Sequence, residues 1–210
     1  MTEHQTMNTV IHAAFRRDLT RFDEALAAFP GSQDRADQLW AAWDNYAHQL
    51  HQHHEDEETI FFPALQEVGA DESLVGDLDG EHQRMAAALA AATTAMTALH
   101  KSPSADNASA ARESVAAFGT ILHDHLAHEE RDLEPFSVAN FKGTPQFKAA
   151  QTAVRKSLKG QTGTFFAWLS DGAGPDERSA LAKQVPAPVL FVIRTVGGRD
   201  YRRRIASVWS

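Results

Sequence analysis

His53-His54-Glu55-Asp56-Glu57-Glu58-Thr59-Ile60-Phe61-Phe62-Pro63 is echoed further along the chain by His125-Leu126-Ala127-His128-Glu129-Glu130-Arg131-Asp132-Leu133-Glu134-Pro135. Both stretches reduce to His-x-x-x-Glu-Glu-x-x-x-x-Pro. One further histidine precedes each copy at nearly the same distance: His12 lies 41 residues before His53, and His82 lies 43 residues before His125. Residues four apart on an α-helix lie one turn apart on the same face. Each His-x-x-x-Glu unit therefore presents an imidazole and a carboxylate to one point, if its segment is helical and faces inward.

Apolar periodicity around each histidine supplies that condition. His12 aligns with Phe15, Leu19, Phe22, Leu26 and Phe29. Pro30-Gly31 ends that segment, and Ser32 is placed to cap the next. Leu39, Trp43, Tyr46, Leu50, His53, Glu57, Ile60 and Ala64 share a second face, which Val68-Gly69 closes. Val75, Leu78, His82, Met85, Leu89, Met96 and Leu99 share a third, broken by Ser102-Pro103-Ser104. Phe118, Ile121, Leu122, His125, Glu129, Leu133 and Phe136 share a fourth. Short connections make neighbouring helices antiparallel, so the expected fold is all-α, an up-down-up-down four-helix bundle over residues 1–140. His12 and His82 lie towards helix starts, His53 and His125 towards helix ends, so an antiparallel bundle gathers all four at one end.

Two carboxylates that can bridge and four imidazoles that can terminate make a metal site, most plausibly for two irons. Unpaired glutamates in an apolar core would be costly, and metal ions would account for their being there. Spacing alone leaves a second register open, because His54-x-x-x-Glu58 has the same form as His53-x-x-x-Glu57. The His53 register is preferred: it puts Leu50, Tyr46 and Leu39 on the ligand face, whereas the His54 register puts His51 there. His4, His48, His51, His54, His100, His123 and His128 are read one by one as surface residues or neighbours of the site. Glu58 and Glu130 are expected beside the site, with ligation by either left open; Asp124 and Asp132 are read as solvated, with a role in orienting an imidazole left open for either.

The chain has 210 residues, no cysteine and 23% charged residues, an ordinary value for a folded protein. Without thiolates the ligands are restricted to nitrogen and oxygen. No apolar run reaches the length of a membrane span; Val185–Val196 is short and contains Pro186, Pro188 and Arg194. Met1–Val10 is polar and lacks a signal-peptide core. A soluble, cytoplasmic protein with no membrane partner is expected. The net charge of −8 conceals an asymmetry: residues 1–140 carry 24 acids and 8 Lys/Arg, residues 141–210 carry 4 acids and 12 Lys/Arg. The favoured explanation is that a basic C-terminal extension of short helices, residues 141–210, packs on the acidic bundle by charge attraction, with a nucleic-acid patch less favoured. In that extension Thr144–Lys159 and Asp176–Gln184 are expected to be helical, Gly172–Pro175 to be a loop, and Phe165, Phe166 and Trp168 to be core.

With these residues assembled, the chain resembles the hemerythrin-like, or HHE cation-binding, family over about residues 8–138. The resemblance rests on His12, on His53 through Glu58 leading to Phe61-Phe62-Pro63, on Glu81-His82, and on His125 through Glu130 leading to Pro135. It implies two non-haem iron ions, an oxo- or hydroxo-bridged centre held by His12, His53, Glu57, His82, His125 and Glu129. Oxygen-carrying members have a second histidine four residues after the third-helix one, where this chain has Ala86. Six ligands rather than seven put simple oxygen carriage in doubt. The implied function is binding or reduction of a small oxidant (oxygen, peroxide or nitric oxide) in oxidative or nitrosative stress or iron handling. The alternatives are a sensor or iron store that signals to a protein partner through the extension, and a structural zinc bundle. Tyr46, two turns before His53 on the ligand face, is the candidate proton donor.

Overall fold

A computed structural model describes residues 6–185 and 187–209. His4 and Pro186 lie outside the described residues. The first helix, α1 (Met7–Ala27), starts on a capping box in which Thr6 and Thr9 bond each other's backbone N–H. Past α1 the chain turns at Gly31, whose φ of 83° suits a residue without Cβ. The Ser32 hydroxyl then accepts from Arg35 N–H to open α2 (Gln33–Asp56). Asp71 caps α4 (Glu72–Lys101), and Ser104 caps α5 (Ala105–His128). These four long helices form the bundle: α1 packs on α2 and α5, and α4 packs on the same two. No strand occurs among the described residues.

The two motif-bearing helices do not continue as plain α-helix. Straight after α2 comes a π-helical turn, Glu57–Phe61, followed by α3 (Phe62–Glu67); straight after α5 comes Glu129–Leu133, followed by α6 (Glu134–Phe136). The prolines of the repeat explain these turns. Pro63 and Pro135 lack an N–H, and their rings would crowd the carbonyls of Thr59 and Arg131 in a regular helix. Widening by one residue relieves that crowding, and the residue just before each proline makes the i→i−5 bond: Phe62 N–H to Glu57 O, and Glu134 N–H to Glu129 O. After Glu57 the buried residues are therefore Phe62 and Leu65, whereas Ile60 and Ala64, expected on the core face, are only half-buried. Ile121, also expected inside, is 38% exposed.

A further π turn (Ser137–Phe141) leads into the extension, α7 (Pro145–Ser157), α8 (Thr162–Ser170), α9 (Pro175–Gln184), α10 (Ala187–Val192), a π turn (Ile193–Gly197), α11 (Arg199–Arg204) and a closing 3₁₀ turn (Ala206–Trp209). Trp168, Leu169, Leu181, Tyr201 and Val208 are buried in the same apolar cluster as Phe15, Phe22, Trp43 and Phe118 of the bundle. Trp168 Nε1–H donates to the buried Asp18 (2.8 Å), and Arg21 pairs with Asp171, which also accepts from the Tyr201 hydroxyl. The Arg21–Asp171 pair thus joins a bundle cation to an extension acid, the reverse of the sign expected from the charge asymmetry. Aromatic burial, at about 25 cal/mol per Å² of apolar surface, is the larger contribution to docking. Gly163 of α8 lies so close to Gly197 that a Cβ on Gly163 would overlap the Gly197 backbone.

The bundle core is divided. One apolar cluster fills the half that holds Trp43 and Tyr46; a second, with Phe62, Leu65, Leu78, Leu133 and Phe141, fills the other end. Between them lies a polar layer of buried His12, Glu57, His82, His125 and Glu129.

Candidate metal centre

The layer is built by four helices, each contributing where its local sequence requires. His12 stands in the second turn of α1 and His82 three turns into α4. His53 and His54 end α2, and His125 ends α5, each copy placing its glutamate at the start of the π turn. The side chains form two quartets. His12, His53, Glu57 and Glu129 bring one ligand atom each within 4.8 Å of one another, as do His54, Glu57, His82 and His125. Glu57 belongs to both.

The short edges of these quartets have the size a shared ion requires. His12 Nε2 lies 3.2 Å from Glu129 Oε2, and His53 Nε2 lies 3.2 Å from Glu57 Oε1. In the second quartet, His82 Nε2 is 3.2 Å from His125 Nε2 and 3.6 Å from Glu57 Oε2. Donors each about 2.1 Å from one ion stand roughly 3–4 Å apart. The polar atoms that point inward also lack other partners. His12 Nε2, His53 Nε2, His54 Nε2, both Glu57 oxygens and Glu129 Oε2 are buried without a hydrogen bond. Buried polar groups are seldom left so, and these converge. The donor set fits cations, and its nitrogens and oxygens suit iron or zinc.

Carboxylates outside the layer fix the rings. His12 Nδ1–H donates to Glu130 Oε1 (2.9 Å), itself held by Arg16; His82 Nδ1–H donates to Glu58 Oε1 (2.8 Å); His125 Nδ1–H donates to Glu81 Oε2 (2.9 Å). Each bond leaves Nε2 as the lone-pair side facing the centre, the usual way a second carboxylate orients a ligating imidazole. Glu81 also accepts from His128, whose other ring nitrogen is 3.3 Å from Asp132. Glu81 is a residue that motif reasoning misses as a partner of His125. Its only signal is its place beside His82, which lets it reach across to α5.

Without cations the layer is electrostatically uneven. Burial, reinforced by the charge of Glu129, pushes the Glu57 carboxyl well above the usual range. Burial also holds His53, His54 and His125 below the ordinary imidazole value. His12 resists the same burial, because the Glu129 and Glu130 carboxylates beside its ring raise it to about 9. Glu129 is likewise held down, against burial, by His12. Without ions the layer thus disfavours charge on Glu57 and favours it on the His12–Glu129 pair; divalent ions would instead favour the ionised carboxylates and neutral imidazoles.

Two sequence expectations change. His53 and His54 are not alternatives. Both side chains enter the layer, His53 edge-on to His12 (ring centroids 5.4 Å) and His54 stacked on His82 (4.1 Å). The cluster therefore has seven donors, five imidazoles and two carboxylates, divided unequally between the quartets. His51, which argued against the His54 register, points to solvent. Ala86 is exposed, and Met85 takes the inward place on that turn of α4. Tyr46 is buried among Phe15, Phe22, Trp43 and Phe118, and its hydroxyl makes no hydrogen bond to any candidate ligand. Phe15 packs against both Tyr46 and His53. The proton-donor role expected of Tyr46 has no support.

No helix among the described residues is long and apolar enough to cross a membrane. The family model of the hemerythrin HHE cation-binding domain matches residues 9–137. No curated protein and no solved structure gives a significant match.

Proposed function

The chain belongs to the hemerythrin HHE cation-binding domain family, and on that basis we propose that it is a non-haem di-iron protein that binds or reduces a small oxidant: oxygen, peroxide or nitric oxide. The observation that carries this reading is the pair of quartets sharing Glu57, whose inward atoms have no other partner. His12, His53 and Glu129 would hold one ion, and His54, His82 and His125 the other, with Glu57 common to both. Iron, when bound, supplies one-electron chemistry and a coordination position for the oxidant.

The chain's own residues set the conditions. Glu130, Glu58 and Glu81 keep each Nδ1 proton on the outer side of its ring. Phe62, stacked on His82 at 5.7 Å, and Phe15, beside His53, cover these two rings with apolar surface. Low polarity around the layer strengthens every electrostatic contact within it. The fifth imidazole, from His54, makes good the count lost at Ala86, so ligand number no longer argues against reversible oxygen binding.

The test is metal content by mass spectrometry on protein purified without chelator or histidine tag, with an optical spectrum of the same sample. Two irons per chain, with near-ultraviolet bands that respond to dithionite, oxygen, peroxide or nitric oxide, are expected. Zinc alone, or well under one metal per chain after anaerobic ferrous reconstitution, would overturn the proposal.

A further inference from the structure

A cavity of about 520 Å³ lies between the bundle and the extension and reaches the quartet of His12, His53, Glu57 and Glu129. His53, Glu57 and Glu129 line it; His54, His82 and His125 do not. Its other walls are largely apolar and come from both parts of the chain, with Phe147, Val154, Phe165 and Phe166 from the extension and Ile11 and Leu65 from the bundle. A diatomic molecule needs little more than the roughly 30 Å³ share of one water. The cavity is more than ten times that, and falls in the range of about 300–1,000 Å³ typical of sites for organic ligands.

Its polar side chains are unequally engaged. At the inner end Gln49, 4% exposed and one turn before His53, lines the cavity with an Nε2 amide that has no hydrogen-bond partner. Among the acids that line it, Asp56 already accepts from Gln52 and Ser157. The cations Lys142 and Arg155 also line it, reach solvent, and form no ion pair with a described residue. Within an acidic bundle, two uncommitted cations on an apolar cavity complement a single negative charge on an otherwise apolar molecule.

We propose that this cavity is a binding site for a long-chain carboxylic acid, with its carboxylate at Lys142 and Arg155 and its hydrocarbon chain running towards Gln49 and the His12–His53–Glu57–Glu129 quartet. The site is formed by the full chain, because its apolar wall is shared between the bundle and the extension. The inference rests on the proposed metal centre only for what lies at the inner end; the binding itself depends on the cavity.

The test is displacement of 11-(dansylamino)undecanoic acid by hexadecanoate from the full-length protein, both metal-free and iron-loaded. One probe per chain is expected, displaced by hexadecanoate and less well by hexadecanol. In Val154→Trp, and separately in Leu158→Trp, an indole occupies the cavity, and binding should weaken about tenfold or more, as overpacking requires. Helicity by circular dichroism should stay as in the unsubstituted protein, which keeps the result from being mistaken for unfolding. Lys142→Glu with Arg155→Glu should weaken hexadecanoate and leave hexadecanol unchanged. Hexadecanoate should also shift the optical bands of the iron-loaded form. No saturable binding up to the solubility limit, binding indifferent to both tryptophan substitutions, or hexadecanol binding as tightly as the acid would overturn the proposal. Acid binding by protein that takes up no iron would sink the di-iron reading and leave the cavity site standing; iron uptake without acid binding would do the reverse.

Discussion

Replacing His54 by alanine separates a seven-donor centre from a six-donor one. In the structure His54 completes the quartet with Glu57, His82 and His125, and its buried Nε2 bonds nothing else. Losing a partner that merely orients a ligand costs about 10–100-fold in metal affinity, so losing the ligand should cost about 100-fold, or roughly 2.7 kcal/mol. An ion present at about a hundred times its Kd stabilises the fold by about 2.7 kcal/mol, and raising that Kd a hundredfold removes most of it. For a chain of this size a loss of about 2 kcal/mol lowers Tm by roughly 4–8 °C. The measurements are iron per chain at a ferrous concentration that just saturates the wild type, and thermal melts with and without iron. His54→Ala should fall from two irons towards one, and its melt should drop only in the iron-loaded form. His51→Ala, whose imidazole is 78% exposed, should do neither. Two irons with unchanged optical bands in His54→Ala, or an equal drop in Tm with and without iron, would refute the argument.

Other expectations follow from the same geometry. Glu81→Gln removes the carboxylate that orients His125 and His128; metal affinity should fall about 10–100-fold with little change in helicity, measured by competition with a chelator. Trp168→Phe leaves the buried Asp18 short of a donor and should destabilise the fold by about 1–3 kcal/mol in denaturant titration, more than Trp40→Phe. Gly163→Ala forces backbone against backbone at Gly197 and should cost about 1–3 kcal/mol. Gly76→Ala, in exposed α4 with open space around it, should instead stabilise by about 0.5–1 kcal/mol. Deleting residues 141–210 uncovers the apolar faces that meet Trp168, Leu181 and Tyr201; the shortened chain should aggregate or melt well below the full one in calorimetry.

The four helices, the cap at Ser32 and the inward place of His12, His53, Glu57, His82, His125 and Glu129 are legible in sequence, because a 3.6-residue period and a core-facing stripe are properties of the chain itself. His54 is not legible in that way. Successive residues on a helix point about 100° apart, so a one-stripe reading admits only His53 or His54. The quartets lie side by side, however, and a helix passing between them can serve one with each residue. The widened turns after Glu57 and Glu129 are also missed by a fixed period, which is why Ile60 and Ala64 are expected where Phe62 and Leu65 stand. Charge totals predict attraction between bundle and extension but not which groups meet; Trp168 on Asp18 and the Arg21–Asp171 pair come from packing that no total reveals.

The paired π turns also bear on how chain length can vary. Each adds one residue beyond what a regular helix would use, and everything after it is set in phase by that addition. Deleting Thr59 would return the segment to an even winding yet leave the residues beyond it in nearly the same phase, because five residues of the wider turn sweep about the same arc as four of an α-helix. Phe62 and Leu65 would then stand four and seven residues past Glu57 and stay on the second apolar cluster, and the cost would fall on Pro63, whose ring would crowd the carbonyl one turn before it. A one-residue deletion at this exposed position would therefore act through the proline and spare the ligand layer, whereas a second added residue would turn Phe62 and Leu65 away from the cluster.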